Sequence, residues 1–237
     1  PIISNVYPGP HVDLVPQAFT LDDNYNQSLA QLGFVVINFA YRGSGPWRGR
    51  DFHTFGYGNL RDYALADDMA AIRQIAARYP CADIERVGIY GHSGFMTVAA
   101  MLNHPEFYKV GVAASGNHDN NIYSQWWGET FHGVKQTWGK DGKPHFECHI
   151  PTNIELADRL AGRLLLITGD MDNNVHPAST ARLADALIRA RKRFDMTVIP
   201  GADHGLGNSY YVNLIRYYFT EHLLGLPQQE IDIVKHN

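Results

Sequence analysis

The sequence is poor in cysteine and lacks any long uninterrupted run of apolar residues. Its 237 residues include two cysteines, Cys81 and Cys148, too few for a disulfide framework. The fold must therefore depend on its apolar core, and the redox compartment stays open. No apolar run reaches the roughly 18 residues that a membrane-spanning helix needs, so no span is expected in this chain.

A large excess of charge is also missing. The formal net charge is −4 and the isoelectric point is near 6.3, so no strong field attracts nucleic acid or an acidic membrane. Internal repeats and low-complexity segments are absent as well. With 45% hydrophobic residues, the length suits one full-sized domain better than two.

The beginning of the chain carries no targeting information. It starts at Pro1 rather than Met, and no signal-like segment follows. We expect the chain to be part of a larger protein, with a sheet edge left open towards the missing part. The compartment stays open between periplasmic or extracellular and cytoplasmic.

The apolar pattern alternates between strand and helix periods. Short apolar runs bounded by turns predict strands at 35–39, 86–90, 109–114, 163–169 and 196–199. Helical spacing predicts helices at 62–79, 95–102, 178–191 and 211–224. This alternation is typical of the α/β class, a mostly parallel sheet with helices on both faces. We expect a single domain over residues 1–237, with its functional groups in loops after the strands.

Residues 115–162 interrupt the alternation. This segment is rich in tryptophan, glycine and histidine. We interpret it as an insertion above the sheet, where substrate pockets are commonly built.

One candidate nucleophile lies between a predicted strand and a predicted helix, in Gly91-His92-Ser93. A serine on such a sharp turn projects its hydroxyl above the sheet edge, beside the positive end of the helix dipole. The alternative is an ordinary turn with an N-capping serine. The motif Gly-x-Ser-x-Gly is imperfect here, because Phe95 stands at its fifth position.

Two later loops supply the partners that a serine nucleophile needs. Asp170 and Asp172 follow the fourth predicted strand, and His204 follows the fifth. A serine hydroxyl requires a base, and the base requires an acid that orients it. The chain order of serine, acid and histidine is that of α/β-hydrolases. Together the three loops indicate a serine hydrolase.

With these motifs, the chain resembles the catalytic domain of the prolyl oligopeptidase family of serine peptidases, and within it the dipeptidyl-peptidase-IV-like branch. The matching stretches are 5–10, 41–45, 88–93, 169–177 and 202–205. They span nearly the whole chain in the family's order. The resemblance implies an α/β-hydrolase fold and a cofactor-free peptidase without a metal, which cleaves near the N-terminus of short peptides, often after proline or alanine.

The resemblance also implies roles for individual residues. Ser93 matches the nucleophile and His204 the general base. Asp172 matches the acid, because it stands two residues before Asn174, and this leaves Asp170 outside the site.

Further matches concern the oxyanion hole and the substrate. Tyr7 matches a tyrosine whose hydroxyl helps form the oxyanion hole, and the backbone N–H of Gly94 would be the second donor. Tyr123 and Trp127 match aromatic walls of the pocket for the residue before the cut. Asn174 matches an asparagine that binds a substrate carbonyl.

The chain departs from the family at the turn that carries Ser93, here called the elbow. Gly94 is followed directly by Phe95, and two residues that are glycines in the family's usual pattern are missing. The fit of the flanking residues favours an elbow of ordinary length, with two further residues in the chain. The alternative is a true deletion that remodels the elbow.

The N-terminal β-propeller of the family is also absent from this sequence. In the dipeptidyl branch the propeller supplies acidic residues that hold the substrate's free amine, and we expect it in the full-length protein, along with a possible homodimer. Two other functions stay open: a carboxylesterase or acylaminoacyl hydrolase of the same fold, and a catalytically impaired family relic.

Overall fold

A computed structural model describes residues 1–7, 9–16, 18–19, 25–207 and 209–226. Its strands are β1 (Ile2–Asn5), β2 (Val35–Ile37), β3 (Val87–His92), β4 (Tyr108–Ala114), β5 (Lys135–Trp138), β6 (Pro144–Glu147), β7 (Arg163–Gly169) and β8 (Asp195–Ile199). Its α-helices are α1 (Asn26–Gln31), α2 (Arg50–His53), α3 (Leu65–Arg78), α4 (Phe95–Asn103), α5 (Gln125–Phe131), α6 (Ala178–Arg189) and α7 (Ser209–Leu224). Short 3-10 turns occur at Pro46–Arg48, Thr54–Gly56 and Ile154–Arg159.

Six of the strands form one parallel sheet in the order β2-β1-β3-β4-β7-β8. Because all six run in the same direction, their carboxyl ends meet at one edge, where the loops after β1, β3, β7 and β8 lie close together. The two remaining strands, β5 and β6, pair with each other as a separate antiparallel hairpin.

Helices cover both faces of the sheet because its strands are apolar on both sides. In β7, Leu164 and Leu166 pack into one buried cluster, which also holds side chains of α3, α4 and α6. The intervening Leu165 and Ile167 pack into a second cluster with α7 and α1. Continuous apolar strands of this kind are typical of parallel sheets buried on both faces. The predicted fold class, an α/β-hydrolase fold, is confirmed.

The insertion at residues 115–162 contains secondary structure that the sequence did not predict. It consists of α5, the β5–β6 hairpin and the 3-10 turn at Ile154–Arg159. Ser124 caps α5 by accepting a hydrogen bond from the Trp127 N–H at 3.4 Å. This cap fixes the direction in which the chain enters α5, immediately after Tyr123.

Candidate active site

The turn between β3 and α4 holds Ser93 in a left-handed backbone conformation, with φ of 52°. Non-glycine residues rarely adopt this conformation, and it costs on the order of 1–3 kcal/mol. Its neighbours have no room for a side chain: a Cβ on Gly91 would lie 2.4 Å from the Val6 carbonyl oxygen, and one on Gly94 would lie 2.6 Å from Ala113 Cα. The glycines therefore allow β3, β1 and β4 to approach closely around the serine.

The loop after β7 places Asp172 in a buried position, with 3% of its surface exposed. Its Oδ1 accepts hydrogen bonds from the N–H groups of Asn174 and Val175 at 2.9 and 2.8 Å. Its Oδ2 lies 2.8 Å from Nδ1 of His204. Asp170 instead accepts a hydrogen bond from the Gly201 N–H at 2.6 Å. Of these two aspartates, the one that faces the imidazole is thus Asp172.

The loop after β8 carries His204 between the serine and the acid. Its Nε2 lies 2.9 Å from Ser93 Oγ. The backbone carbonyl of His204 accepts a hydrogen bond from the Ser115 hydroxyl at 3.0 Å, which ties this loop to the end of β4. With Nδ1–H directed at Asp172, Nε2 is the unprotonated nitrogen that can accept the serine proton.

A second imidazole, that of His92, packs edge-on against His204, with 4.6 Å between the ring centroids. Burial, followed by the nearby charge of His204, lowers the pKa of His92 to about 4. At neutral pH His92 is therefore an uncharged packing neighbour of the base.

A cavity of about 200 Å³ opens beside Ser93. It is lined by Tyr7, Gly9, His11, Ser93, Phe95, Asn117, Tyr123, Trp127, Asn174 and Val175. Tyr7, Tyr123, Trp127 and Asn174, which the resemblance implied from three distant parts of the chain, thus share one cavity with the serine.

Aromatic rings connect the insertion to the loop after β1. The centroids of Tyr123 and Trp127 are 5.8 Å apart, those of Trp127 and Phe131 are 5.3 Å apart, and those of Phe131 and His11 are 5.7 Å apart. His11 and Phe131 were not predicted from the sequence as neighbours of the pocket. The one signal was indirect: Phe131 lies four residues after Trp127, on the same face of a helix.

The elbow differs from expectation in length and in hydrogen bonding. The chain passes directly from Gly94 into α4 at Phe95, so the expected elbow of ordinary length is wrong. The N–H of Gly94 donates to the Ala114 carbonyl at 2.8 Å, which continues the β3–β4 ladder past the serine. The expectation that this N–H is an oxyanion donor is therefore wrong for this structure, because the shortened turn has already given it an acceptor.

Among residues 1–7, 9–16, 18–19, 25–207 and 209–226, no group of three or more histidine, cysteine, aspartate or glutamate side chains is placed to hold a metal ion. No helix in the same part of the chain is long and apolar enough to cross a membrane.

Comparison with known proteins identifies the family to which the chain belongs. Residues 20–226 match the sequence profile of the prolyl oligopeptidase family. The chain belongs to the prolyl oligopeptidase family. This confirms the resemblance on which the site assignments rest.

Several members of the prolyl oligopeptidase family are similar to this chain. Human dipeptidyl peptidase 8 is 28% identical over 226 residues, which cover 92% of this chain and 25% of the relative. Dipeptidyl peptidase 4 of Porphyromonas gingivalis superposes with a TM-score of 0.77 at 27% identity, covering 91% of this chain and 30% of that one. A Bacteroides ovatus structure assigned as a dipeptidyl aminopeptidase IV gives a TM-score of 0.80 at 28% identity, over 94% and 31%. The chain spans about a quarter of the length of the curated relatives it matches.

Proposed function

We propose that this domain is a serine exopeptidase that releases dipeptides or single residues from the N-terminus of short peptides through an acyl-enzyme on Ser93. The observation that carries the proposal is the unbroken series of hydrogen bonds from Ser93 Oγ to His204 and from His204 to Asp172, at 2.9 and 2.8 Å. Its catalytic residues are these three.

The arrangement supports two successive acyl transfers. Ser93 Oγ attacks the scissile carbonyl carbon while His204 Nε2 takes its proton, and Asp172 stabilises the resulting imidazolium. His204 then returns the proton to the leaving amine as the C–N bond breaks, which leaves the acyl group on Ser93. Water, deprotonated by the same nitrogen, releases the acyl group as a free acid.

Tyr7 is the proposed donor to the negative oxygen of each tetrahedral intermediate. It lines the same cavity as Ser93. A Cβ on Gly9 would lie 2.5 Å from the Tyr7 ring and 2.8 Å from the ring of His11, so glycine is needed for this packing. Pro8 of the same loop lies outside the described residues.

The acyl part of the substrate is proposed to occupy the cavity beside Ser93. Tyr123 and Trp127 would flank a compact apolar side chain at the cut, in keeping with proline or alanine. Asn174 would donate to a carbonyl further towards the substrate's N-terminus.

One observation favours a second candidate, an ester hydrolase or an impaired relative. The N–H of Gly94 is bonded to the Ala114 carbonyl, so the elbow supplies one oxyanion donor fewer. Each missing donor costs about 10²–10³ in kcat. Amides, which have the higher intrinsic barrier, tolerate such a loss less well than esters.

The remainder of the protein is proposed to hold the substrate's free amine. Human dipeptidyl peptidase 8 is about four times as long as its match to this chain, and the two solved structures are about three times as long as theirs. In the family an N-terminal β-propeller provides acidic residues for this purpose. A homodimer is proposed with it. The mass of the natural protein and its sequence before Pro1 test both proposals.

Labelling with a fluorophosphonate probe tests the central proposal. Wild-type protein should be labelled and the Ser93→Ala variant should not, because only an activated serine reacts. A panel of dipeptidyl amides, aminoacyl amides and simple esters with one common leaving group then identifies the substrate. Cleavage of esters alone would favour the ester hydrolase, and an unlabelled wild type would indicate the impaired relative.

A further inference from the structure

Next to the elbow lies a fully buried asparagine that takes no part in the mechanism described above. Asn153 belongs to the later part of the insertion, directly before the 3-10 turn at Ile154–Arg159. Its Nδ2 donates to the backbone carbonyl of Phe95 at 2.8 Å. Phe95 is the second residue after Ser93 and the first residue of α4. A side chain of the insertion thus contacts the main chain of the elbow.

The orientation of the Asn153 amide follows from its two partners. A main-chain carbonyl can only accept, so the amide atom that faces Phe95 has to be the nitrogen. Nδ1 of His118 lies 3.3 Å from the same nitrogen and therefore serves as an acceptor, with the ring proton on Nε2. Burial lowers the pKa of His118 to about 3, so at neutral pH the ring is uncharged and Nδ1 can accept. The amide nitrogen thus has one acceptor for each of its two hydrogens.

The imidazole of His118 is itself fixed by its surroundings. The N–H of His118 donates to the Ser179 hydroxyl oxygen at 3.0 Å, in the first turn of α6. Its carbonyl accepts from the Asn153 N–H at 3.0 Å. The ring is completely buried, and a Cβ on Gly116 would lie 2.4 Å from it. A closely packed ring of this kind keeps one rotamer, so it can hold the Asn153 amide in one orientation.

The conformation of the elbow needs support from neighbouring segments. The left-handed φ of Ser93 is a strained conformation, which persists only where surrounding contacts determine it. From the sheet, the Ala114 carbonyl accepts from the Gly94 N–H at 2.8 Å. From the insertion, Asn153 donates to the Phe95 carbonyl. These two contacts hold the two residues that directly follow the serine.

We propose that Asn153 is a positioning residue, which holds the elbow so that Ser93 Oγ stays within reach of His204. His118 orients Asn153 for this role. The inference rests on the proposed function and gives the insertion a second part in it, besides forming a wall of the cavity. Neither Asn153 nor His118 lines the cavity beside Ser93. Their replacement should therefore slow the attack of the serine and leave substrate binding nearly unchanged.

Two asparagines that contact opposite ends of α4 provide a matched test. Asn103 also donates through Nδ2 to two acceptors, the Asp62 carboxylate at 2.8 Å and the Ala99 carbonyl at 3.0 Å, at the end of α4 away from the elbow. Asn153→Ala should lower kcat about 10- to 100-fold and keep KM within about threefold, because the serine is displaced from its base. Asn103→Ala should keep kcat within about twofold of the wild type.

Steady-state kinetics on one dipeptidyl coumarin amide, at a temperature where both variants are folded, measures these effects. Equal losses of kcat in the two variants would overturn the proposal, and so would a loss in Asn153→Ala that appears in KM alone.

A pair of His118 variants tests the same role with Asn153 left in place. Asparagine carries its side-chain oxygen at the δ position, as histidine carries Nδ1, so His118→Asn retains an acceptor for the Asn153 amide. His118→Leu removes that acceptor. His118→Leu should lower kcat about tenfold, and His118→Asn should stay within about threefold of the wild type. Equal losses would refute the orienting role of His118. This pair also decides the matter if Asn153→Ala does not fold.

Hydrogen exchange distinguishes failure of this proposal from failure of the proposed function. In Asn153→Ala the backbone amides of residues 94–98 should exchange about threefold faster or more than in the wild type, and those of residues 101–104 should not. Asn103→Ala should show the reverse. Unchanged exchange at residues 94–98 in Asn153→Ala would refute the positioning role. A wild type that neither reacts with the fluorophosphonate nor cleaves the amide would refute the proposed function alone, because exchange needs no turnover.

Discussion

Two polar clusters in this domain share serine, aspartate and tyrosine but differ in their surroundings, and one of them also contains a histidine. The active-site cluster, named for its proposed role, consists of Ser93, Asp172, His204 and Tyr7, and the inner cluster consists of Ser4, Asp68 and Tyr108. The first lies in loops at the carboxyl edge of the sheet, beside a cavity. The second lies inside the domain, between β1, α3 and β4, and its three residues are completely buried.

In the inner cluster both hydroxyl groups donate to the same carboxylate. Ser4 Oγ donates to Asp68 Oδ1 at 2.5 Å, and the Tyr108 hydroxyl donates to Oδ2. Burial raises the pKa of Asp68 to about 6, although both hydrogen bonds oppose that rise. Burial, reinforced by the charge of Asp68, raises the pKa of Tyr108 well above its ordinary range.

The difference between the two clusters shows what serine, aspartate and tyrosine need in order to act in catalysis. In the active-site cluster an imidazole separates the serine from the acid, so the hydroxyl proton has a base to move to. In the inner cluster each hydroxyl donates directly to the acid and a substrate has no access. The same groups there join a strand, a helix and a second strand.

Replacing the serine of each cluster by alanine should give the largest difference in activity between the two clusters. Ser93→Ala should lower kcat by about 10⁴–10⁶ and leave the melting temperature nearly unchanged. Ser4→Ala should leave kcat within threefold and cost about 1–3 kcal/mol of stability, because one oxygen of a buried carboxylate loses its donor. Steady-state kinetics and urea unfolding of both variants measure this. Loss of activity in Ser4→Ala at full stability would break the comparison.

Replacing the aspartate of each cluster by asparagine should give the next largest difference in activity. Asp172→Asn should lower kcat by about 10⁴, because an amide no longer holds His204 with Nε2 unprotonated. Asp68→Asn should retain kcat within threefold. Comparable losses in the two variants, measured at a temperature where both are folded, would argue that the inner cluster takes part in catalysis.

Replacing the tyrosine of each cluster by phenylalanine should give a smaller difference in activity. Tyr7→Phe should lower kcat by about two to three orders of magnitude with little change in KM or melting temperature, since it removes one oxyanion donor. Tyr108→Phe should instead lower stability by about 1–3 kcal/mol and spare kcat. A Tyr7→Phe enzyme with kcat within threefold of the wild type would remove Tyr7 from the site.

The smallest effect concerns the pH dependence of stability. Because the folded-state pKa of Asp68 is raised from 3.8 to about 6, its ionisation is disfavoured in the native state. The contribution of protonated Asp68 to the free energy of unfolding is fully present below about pH 4. It is lost as the pH rises to about 6, and the loss amounts to roughly 3 kcal/mol. Asp68→Asn has no such titration. The difference in unfolding free energy between wild type and Asp68→Asn should therefore fall across this interval and level off above it.

Buried histidines titrate in the opposite direction over part of the same interval. Burial lowers the pKa of His118 to about 3, and burial together with the charge of His204 lowers that of His92 to about 4. Both favour the folded state least at low pH. They are present in both proteins of the comparison and therefore cancel in the difference. A flat or a rising difference curve would contradict the raised pKa of Asp68.

Sequence patterns predicted five of the six strands of the parallel sheet, all but β1, and the order of the active-site loops. Strands buried on both faces, such as 163–169, appear as uninterrupted apolar runs, and parallel strands bring the loops after them to one edge. The choice of Asp172 over Asp170 came from its spacing to Asn174, since both aspartates follow the same strand.

Other features depend on contacts that no local pattern reports. The β5–β6 hairpin was missed because its strands are almost wholly exposed and show no apolar alternation. The direction of the Gly94 N–H depends on the length of the elbow and on how closely β4 approaches it. Asp68 is one of two acidic residues in the first turn of α3, and its partners Ser4 and Tyr108 are 64 and 40 positions away.

The hydrogen bond between Ser93 and His204 joins residues that are 111 positions apart in the chain. Such a contact has to wait until the entropy of closing a long loop has been compensated, and here β4 and β7 lie between the strands that carry the two residues. We therefore expect helices and local turns to form while the serine still has no base. During refolding, activity should return after the helical circular dichroism signal. Until β8 has docked, we expect Ser93 to lack the base that its proposed chemistry requires.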